Sequence, residues 1–231
     1  MTNREYLIAV VKALGSLADE VVFTGGRVVQ EYQAVPALRE PRVTVDADVI
    51  VEAATYAEYA AFGERLRQRG FAQSAVSGTP PYRWNRDGLV LDVMPLHGDA
   101  LGFTNQWYRS GVSTAVRVEL AESVSIWILD PPHFLASKLE AYRGRGDDDP
   151  YTSHDLEDVI SVVASRPACV EEARAAGSDV SGWIAKQLEA IFLPSQRLEL
   201  VAVHLDPSSP PGLVEIVAER ITGLIETSAA S

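Results

Sequence analysis

The sequence has little positive charge. Of its 231 residues, 20 are Lys or Arg and 32 are Asp or Glu, which gives a formal net charge of −12. Broad, sequence-independent binding to DNA or to an anionic membrane needs excess positive charge, so the composition argues against both. The deficit is uneven, because residues 1–146 hold 15 basic and 17 acidic residues whereas residues 147–231 hold 5 and 15. A phosphate-bearing ligand is therefore expected in the first part of the chain.

Cysteine and long apolar runs are also scarce. Cys169 is the one cysteine, which excludes an internal disulfide and fits a reducing compartment. No uncharged apolar run reaches the ~18 residues of a membrane span. Residues 1–5 carry no net basic run and Lys12 interrupts the first apolar stretch, so no secretory signal is expected. The chain is predicted to be a cytoplasmic globular protein without a membrane partner.

Hydrophobic periodicity predicts an α+β fold in two domains. Helical spacing over residues 5–20 and 55–70 is interspersed with short segments typical of strands, at 21–24, 42–52, 71–75, 116–120 and 124–128. Asp87-Gly88 predicts a hairpin between residues 82–86 and 89–94. Further helices are predicted from 130 to about 143 and near 155–165, 168–176, 179–191 and 212–226. We expect a mixed α/β domain over residues 1–130 and a helical domain over 131–231.

Three aspartates are candidate metal ligands. Asp46 and Asp48 stand two apart on a predicted strand, so their carboxylates share one face and suit Mg²⁺. A solvent-facing strand surface is the alternative, although Asp is uncommon in strands. Asp92 lies in a strand that is apolar on both faces, and a buried carboxylate needs a partner or a cation. An ion pair with Arg83 or Arg86 across the hairpin is the alternative to a shared divalent metal.

Gly25-Gly26 closes the first strand and opens a helix that is predicted to begin at Arg27. Glycine at this point lets backbone N–H groups approach a phosphate at the helix N-terminus. A tight turn that needs a positive φ is the alternative.

The order of these motifs resembles the nucleotidyltransferase superfamily with the DNA polymerase β-like fold, and in particular its AbiEii-type toxin branch. The similarity begins at Thr24-Gly25-Gly26, continues through residues 43–48 and Asp92, and ends with a lysine-bearing helix at 134–141 and the segment 154–158. It covers residues 20–165. His154 stands where that branch usually has lysine.

The resemblance implies a fold and a set of site residues. The fold is a nucleotidyltransferase-like mixed β-sheet with flanking helices, followed by a C-terminal helical domain that contributes Lys138 to the cleft. The implied ligands of Mg²⁺ (or Mn²⁺) are Asp46, Asp48 and Asp92. The implied phosphate-binding residues are Gly25, Gly26, Arg27 and Lys138. Asp92 is also the implied base, and Asp155 is implied to hold Lys138 or the acceptor in place. For Lys138, an exposed helix lysine is the alternative.

The implied reaction moves a nucleoside monophosphate from a nucleoside triphosphate to an acceptor hydroxyl. An RNA end, such as a tRNA 3′ end, is the expected acceptor, with a small-molecule hydroxyl or a protein side chain as the alternative. A cognate antitoxin protein is a further expected partner. An RNA acceptor requires a local basic rim, for which the candidates are Arg65, Arg67, Arg69, Arg83, Arg86, Arg143 and Arg145.

Two other functional classes stay open. One is an inactive member of the same fold that binds a nucleotide or a partner protein. The other is a metal-dependent phosphodiester hydrolase that uses the same carboxylates.

Overall fold

A computed structural model describes residues 1–34, 42–74, 78–102, 104–144 and 149–227. The chain forms two compact units. The first comprises Met1–Val28 and Arg42–Asp130, and the second comprises Val29–Pro41 and Pro131–Ser231. The first unit contains a mixed sheet with helices and the second contains helices, so the predicted α+β class is confirmed.

The first unit is built on a seven-stranded sheet. Its strands are β1 (Val21–Thr24), β2 (Ala47–Val51), β3 (Ala72–Gln73), β4 (Arg83–Arg86), β5 (Leu89–Pro95), β6 (Val116–Ala121) and β7 (Val124–Ile128), in the spatial order β3-β4-β5-β2-β1-β7-β6. The pairs β1–β7 and β2–β5 are parallel and the other pairs are antiparallel. Asp87 and Gly88 have φ angles of 49° and 81°, which gives the two-residue turn predicted for the β4–β5 hairpin.

Three α-helices belong to the same unit: α1 (Asn3–Leu14), α2 (Tyr56–Gln68) and α3 (Tyr108–Ser113). Short 3₁₀ helices lie at Gly15–Glu20 and Gly98–Ala100, and a third, Gly26–Tyr32, replaces the α-helix predicted from Arg27. Helices α1 and α2 each begin with a capping box, at Thr2/Glu5 and Thr55/Glu58.

Helix α2 packs on one face of the sheet. The Tyr59 hydroxyl donates to the carbonyl of Val93 at 3.0 Å. A Cβ at Gly63 would lie 3.0 Å from the Trp84 indole, so the missing side chain makes room for a fully buried tryptophan. Because side chains alternate along a strand, Arg83 and Asp92, the neighbours of Trp84 and Val93, project from the opposite face.

Strand β2 is shorter than predicted, since residues 42–46 lie outside the sheet. Val43 and Val45, which lie within the strand predicted over residues 42–52, are 67% and 74% exposed. The carbonyl groups of Thr44 and Asp46 accept hydrogen bonds from the Arg27 side chain instead of from a neighbouring strand. The alternation of apolar residues in the sequence therefore extends over residues 42–46, where no neighbouring strand pairs with the backbone.

The second unit contains α4 (Pro131–Gly144), α5 (His154–Ser165), α6 (Cys169–Ala175), α7 (Ser178–Ile191), α8 (Arg197–His204) and α9 (Leu213–Glu226). Helix α9 contacts α5, α6, α7 and α8 and supplies much of the shared core. Helix α8 was not predicted. Leu198 and Val203 are about half exposed, so apolar residues lie on more than one side of this short helix and its sequence shows no clear apolar stripe. Across the described residues, no helix combines the length and the apolar character needed to cross a membrane.

Candidate active site

A row of polar side chains crosses the sheet of the first unit. Thr24 of β1 is opposite Asp48 of β2, Asp48 is opposite Asp92 of β5, and Asp92 is opposite Arg83 of β4. Residues in register across neighbouring strands project from the same face. Asp46 lies one residue before β2, next to these residues. We call Thr24, Asp46, Asp48 and Asp92 the acid row, which Arg83 contacts from β4.

Arg83 joins two of the aspartates. Its Nε lies 2.8 Å from Asp92 Oδ1, and its Nη2 lies 2.7 Å from Asp92 Oδ2 and 2.6 Å from Asp46 Oδ2. Since a single nitrogen contacts oxygens of both carboxylates, these two oxygens face one common point, which Arg83 Nη2 occupies. The ion pair offered above as the alternative for Asp92 is therefore present, and it includes Asp46.

The electrostatics of the row follow from burial and from like charges. The Asp92 side chain is 5% exposed, and this burial raises the pKa of its carboxyl group above the ordinary value. Arg83 acts in the opposite direction and Asp46 adds to the rise. The bidentate pair with Asp92 raises the pKa of Arg83 in turn.

The absence of a side chain at Gly25 makes room for Asp48. The φ of this glycine is +78°, and a Cβ placed there would lie 1.9 Å from Asp48 Oδ2. The Asp48 carboxylate therefore lies directly on the turn that ends β1, and Gly26 begins the 3₁₀ helix that follows. Gly25 thus has the positive φ of a tight turn and lies against an acid of the row, and phosphate binding at this turn stays a prediction.

The contact with Asp48 can be separated from backbone strain by two matched variants. Gly102 has the same φ of +78°, and no described atom lies within 4 Å of its Cβ position. Both Gly102→Ala and Gly25→Ala should lose roughly 1–2 kcal/mol of unfolding free energy through the left-handed conformation. Gly25→Ala should lose roughly 1–3 kcal/mol more through overpacking against Asp48. Urea denaturation checks this, and equal losses would contradict the observed contact.

Arg27 has a different position from the one expected of a phosphate ligand. Its Nε donates to the Asp46 carbonyl at 2.9 Å, its Nη1 donates to Asn3 Oδ1 at 3.1 Å and its Nη2 donates to the Thr44 carbonyl. The guanidinium stacks on the Tyr6 ring with Cζ 3.3 Å from the centroid, and Arg27 is 3% exposed. These contacts give Arg27 a structural role that the sequence did not reveal, namely to hold the segment that carries Asp46.

Replacement of Arg27 by methionine should therefore act on stability. The variant removes the Arg27 donor from the Thr44 carbonyl, which costs about 1–3 kcal/mol for a buried acceptor. It also removes one of two donors from the Asp46 carbonyl, which keeps the hydrogen bond from Thr44 Oγ1. Arg4→Met is the control, because Arg4 is exposed and hydrogen bonds to the distant Glu119 carbonyl. If chemical denaturation gave the two variants the same stability, the structural role of Arg27 would be wrong.

Lys138 lies in the second unit and is buried. Its Nζ is 3.1 Å from Asp155 Oδ1 and 2.6 Å from Asp158 Oδ2, and both carboxylates are almost fully buried. Asp155 and Asp158 are three residues apart in α5, so they present both carboxylates to α4 on one face. The alternative of an exposed helix lysine is wrong, and Asp158 is a partner that sequence spacing alone did not assign.

The candidate rim arginines contact other groups of the protein. Arg65 pairs with Glu20, Arg67 pairs with Glu64 at 2.6 Å, and Arg69 donates to Ser16 at 3.0 Å. Arg86 donates to the Ala13 carbonyl, Arg143 stacks on Trp183, and Arg145 lies outside the described residues. The basic rim stays a prediction.

A groove of about 410 Å³ opens in the first unit, with Val22, Ile50 and Trp127 among its lining residues. Val22 and Ile50 are each two residues from a member of the acid row on the same strand, so the groove and the row share a face of the sheet. Asp19, Glu20 and Glu52 also line it. The groove therefore carries acidic rather than basic side chains.

The donor chemistry of the row suits a hard divalent cation. Carboxylate oxygens are preferred by Mg²⁺, and two of them already converge on one point. Within the described ranges, no group of three or more His, Cys, Asp or Glu side chains is arranged to hold a metal ion as it stands. The metal assignment therefore stays a prediction, and the residue at the convergence point is Arg83.

Comparisons with known proteins give a distant likeness. No protein-family model matches this chain, and no curated protein matches it. Six chains of solved structures match, and one is an H. pylori protein provisionally described as a nucleotidyltransferase. That match has 11% sequence identity and a TM-score of 0.48, and it covers 98% of this chain and 93% of the other. At this TM-score, the likeness does not bear on the function of this chain.

Proposed function

We propose that this protein is a divalent-metal-dependent nucleotidyltransferase. The observation that carries the proposal is the convergence of Asp46 and Asp92 oxygens on one point, beside Asp48 and the Gly25 turn. A cluster of carboxylates this close together on one sheet face is costly unless a cation neutralises it. Phosphoryl transfer relies on such a cluster for positioning and charge neutralisation.

The roles follow from the positions of the residues. Asp46, Asp48 and Asp92 would hold Mg²⁺ or Mn²⁺, which supplies charge neutralisation for the triphosphate. Because Asp48 lies against Gly25, a triphosphate bound by the Gly25-Gly26 backbone would lie next to the carboxylates. The acceptor oxygen attacks the α-phosphorus, pyrophosphate leaves, and the hydroxyl proton passes to Asp92. Burial makes Asp92 a stronger base than an ordinary aspartate, since it raises the pKa of the carboxyl group.

The acceptor we propose is the end of an RNA strand. With a net charge of −12 and an acid-lined groove, the protein has little general affinity for a long polyanion. A single 3′-hydroxyl presented to a cation site places few phosphates near the protein surface. The toxin role and the antitoxin partner are proposals that follow from the resemblance of the motifs alone.

Incubation with labelled nucleoside triphosphates, Mg²⁺ and total cellular RNA tests the function. Label should enter RNA, and Asp48→Asn should lower the rate on the order of a hundredfold or more, because a ligand of the charge-neutralising cation is lost. Asp99→Asn, which removes an exposed acid of the same unit, should leave the rate unchanged.

Other outcomes of this assay are equally informative. Label that enters only protein or small molecules contradicts the RNA acceptor and keeps the transferase. Degradation of the RNA to nucleotides without incorporation of label indicates the hydrolase. No label anywhere, together with measurable nucleotide binding, indicates the inactive binding module.

The contribution of Lys138 to nucleotide binding stays a prediction with its own test. Lys138→Gln should weaken nucleotide binding at least tenfold, about 1.4 kcal/mol. Lys186→Gln is the matched control, because Lys186 is an exposed lysine of α7 in the same unit. Isothermal titration below the melting temperature of each variant gives the affinities. Equal affinities in both variants and in the wild type would reduce Lys138 to a buried partner of Asp155 and Asp158.

A further inference from the structure

Arg83 lies at the point where the acid row would hold a cation. Its Nη2 contacts one oxygen of Asp46 and one oxygen of Asp92, at 2.6 and 2.7 Å. Both oxygens therefore face the same point. A guanidinium nitrogen and a divalent cation require the same lone pairs on them.

The Arg83 side chain is able to leave this position. It is 31% exposed, and among the described residues it hydrogen bonds to Asp46 and Asp92 alone. Arg27 provides the contrast within the same unit, because its guanidinium is buried and bound to two backbone carbonyls and Asn3. Arg83 is therefore held by ion pairs with two carboxylates, whereas Arg27 is held by hydrogen bonds to the backbone and by burial.

Arg83 and a divalent cation would also repel each other. A cation bound between Asp46 and Asp92 would lie within a few ångströms of a guanidinium that stayed in place, and like charges at that range disfavour joint occupancy. We propose that Arg83 and the divalent cation exclude each other at the acid row, so that cation binding requires Arg83 to move away from Asp46 and Asp92. This inference rests on the proposed function, since it takes the row to be a cation site.

Direct Mn²⁺ binding, measured by electron paramagnetic resonance without nucleotide, tests the inference. Arg83→Gln should bind Mn²⁺ at least tenfold more tightly than the wild type, because the competing charge is gone. Arg83→Lys should stay close to the wild type, since it keeps a cation beside the carboxylates. Arg86→Gln is the matched control on the same strand and should leave the affinity unchanged, because Arg86 contacts Ala13 and Asp87 instead of the row.

A measurement on the wild type covers the case in which Arg83→Gln does not fold. Titration with Mg²⁺ should shift the side-chain Nε–H signal of Arg83 in an NMR spectrum and increase its exchange with water. The midpoint should match the Mg²⁺ affinity of the wild type measured separately by isothermal titration calorimetry. The Nε–H signal of Arg27 should keep its position and its protection.

The outcomes separate this inference from the proposed function. If Asp48→Asn abolishes Mn²⁺ binding but Arg83→Gln binds no more tightly than the wild type, the exclusion is wrong and the cation site stands. If Mg²⁺ binds and the Arg83 signal does not change, the exclusion is likewise wrong. If neither the wild type nor Arg83→Gln binds a divalent cation, both the exclusion and the metal-dependent function are wrong.

Discussion

The register that places Asp48 opposite Asp92 on two adjacent parallel strands is the constraint on which the site depends. Like charges directly opposite each other destabilise a sheet, and here one of the two is buried. Strand β4 supplies Arg83, whose charge offsets this repulsion at Asp92. The turn that follows β1 supplies Gly25, which leaves room for the Asp48 carboxylate. The two aspartates therefore set the residue types required at positions 25 and 83.

The position of Asp46 depends on a second interaction of a different kind. Asp46 precedes β2, so no strand ladder fixes it, and Arg27 binds its carbonyl while Arg83 binds its side chain. Backbone and side chain are thus held by two separate cations. Loss of the first would weaken the hold on the backbone, which Asn3 and Tyr6 also bind, whereas loss of the second would release only the carboxylate. Under the proposed exclusion, this division would let Arg83 move without disturbing the backbone of the segment.

The sequence predicted local structure well and long-range pairing only in part. The turn at Asp87-Gly88 sets the hairpin register, which by itself brings Arg83 opposite Asp92. The addition of Asp46 to that pair depends on the parallel pairing of β2 with β5, which no local pattern encodes. The burial of Arg27 was missed for a similar reason, because its partners at Asn3 and Thr44 are distant in sequence. Composition likewise gave no sign that Lys138 would be shared by two carboxylates.

Several cations of this acidic chain are paired with its own carboxylates. Arg83 is bound to the acid row, Lys138 to two carboxylates of α5, Arg166 to Glu172 and Arg65 to Glu20. A cation that already neutralises a carboxylate contributes little to the attraction of a polyanion, since the pair carries no net charge. Under the proposed function, phosphate recognition would therefore draw on positive charge from outside the chain in addition to Lys138. A divalent cation held by the same carboxylates that Arg83 now binds would supply that charge, and it would do so only at the row, which limits recognition to phosphates brought close to Asp46, Asp48 and Asp92.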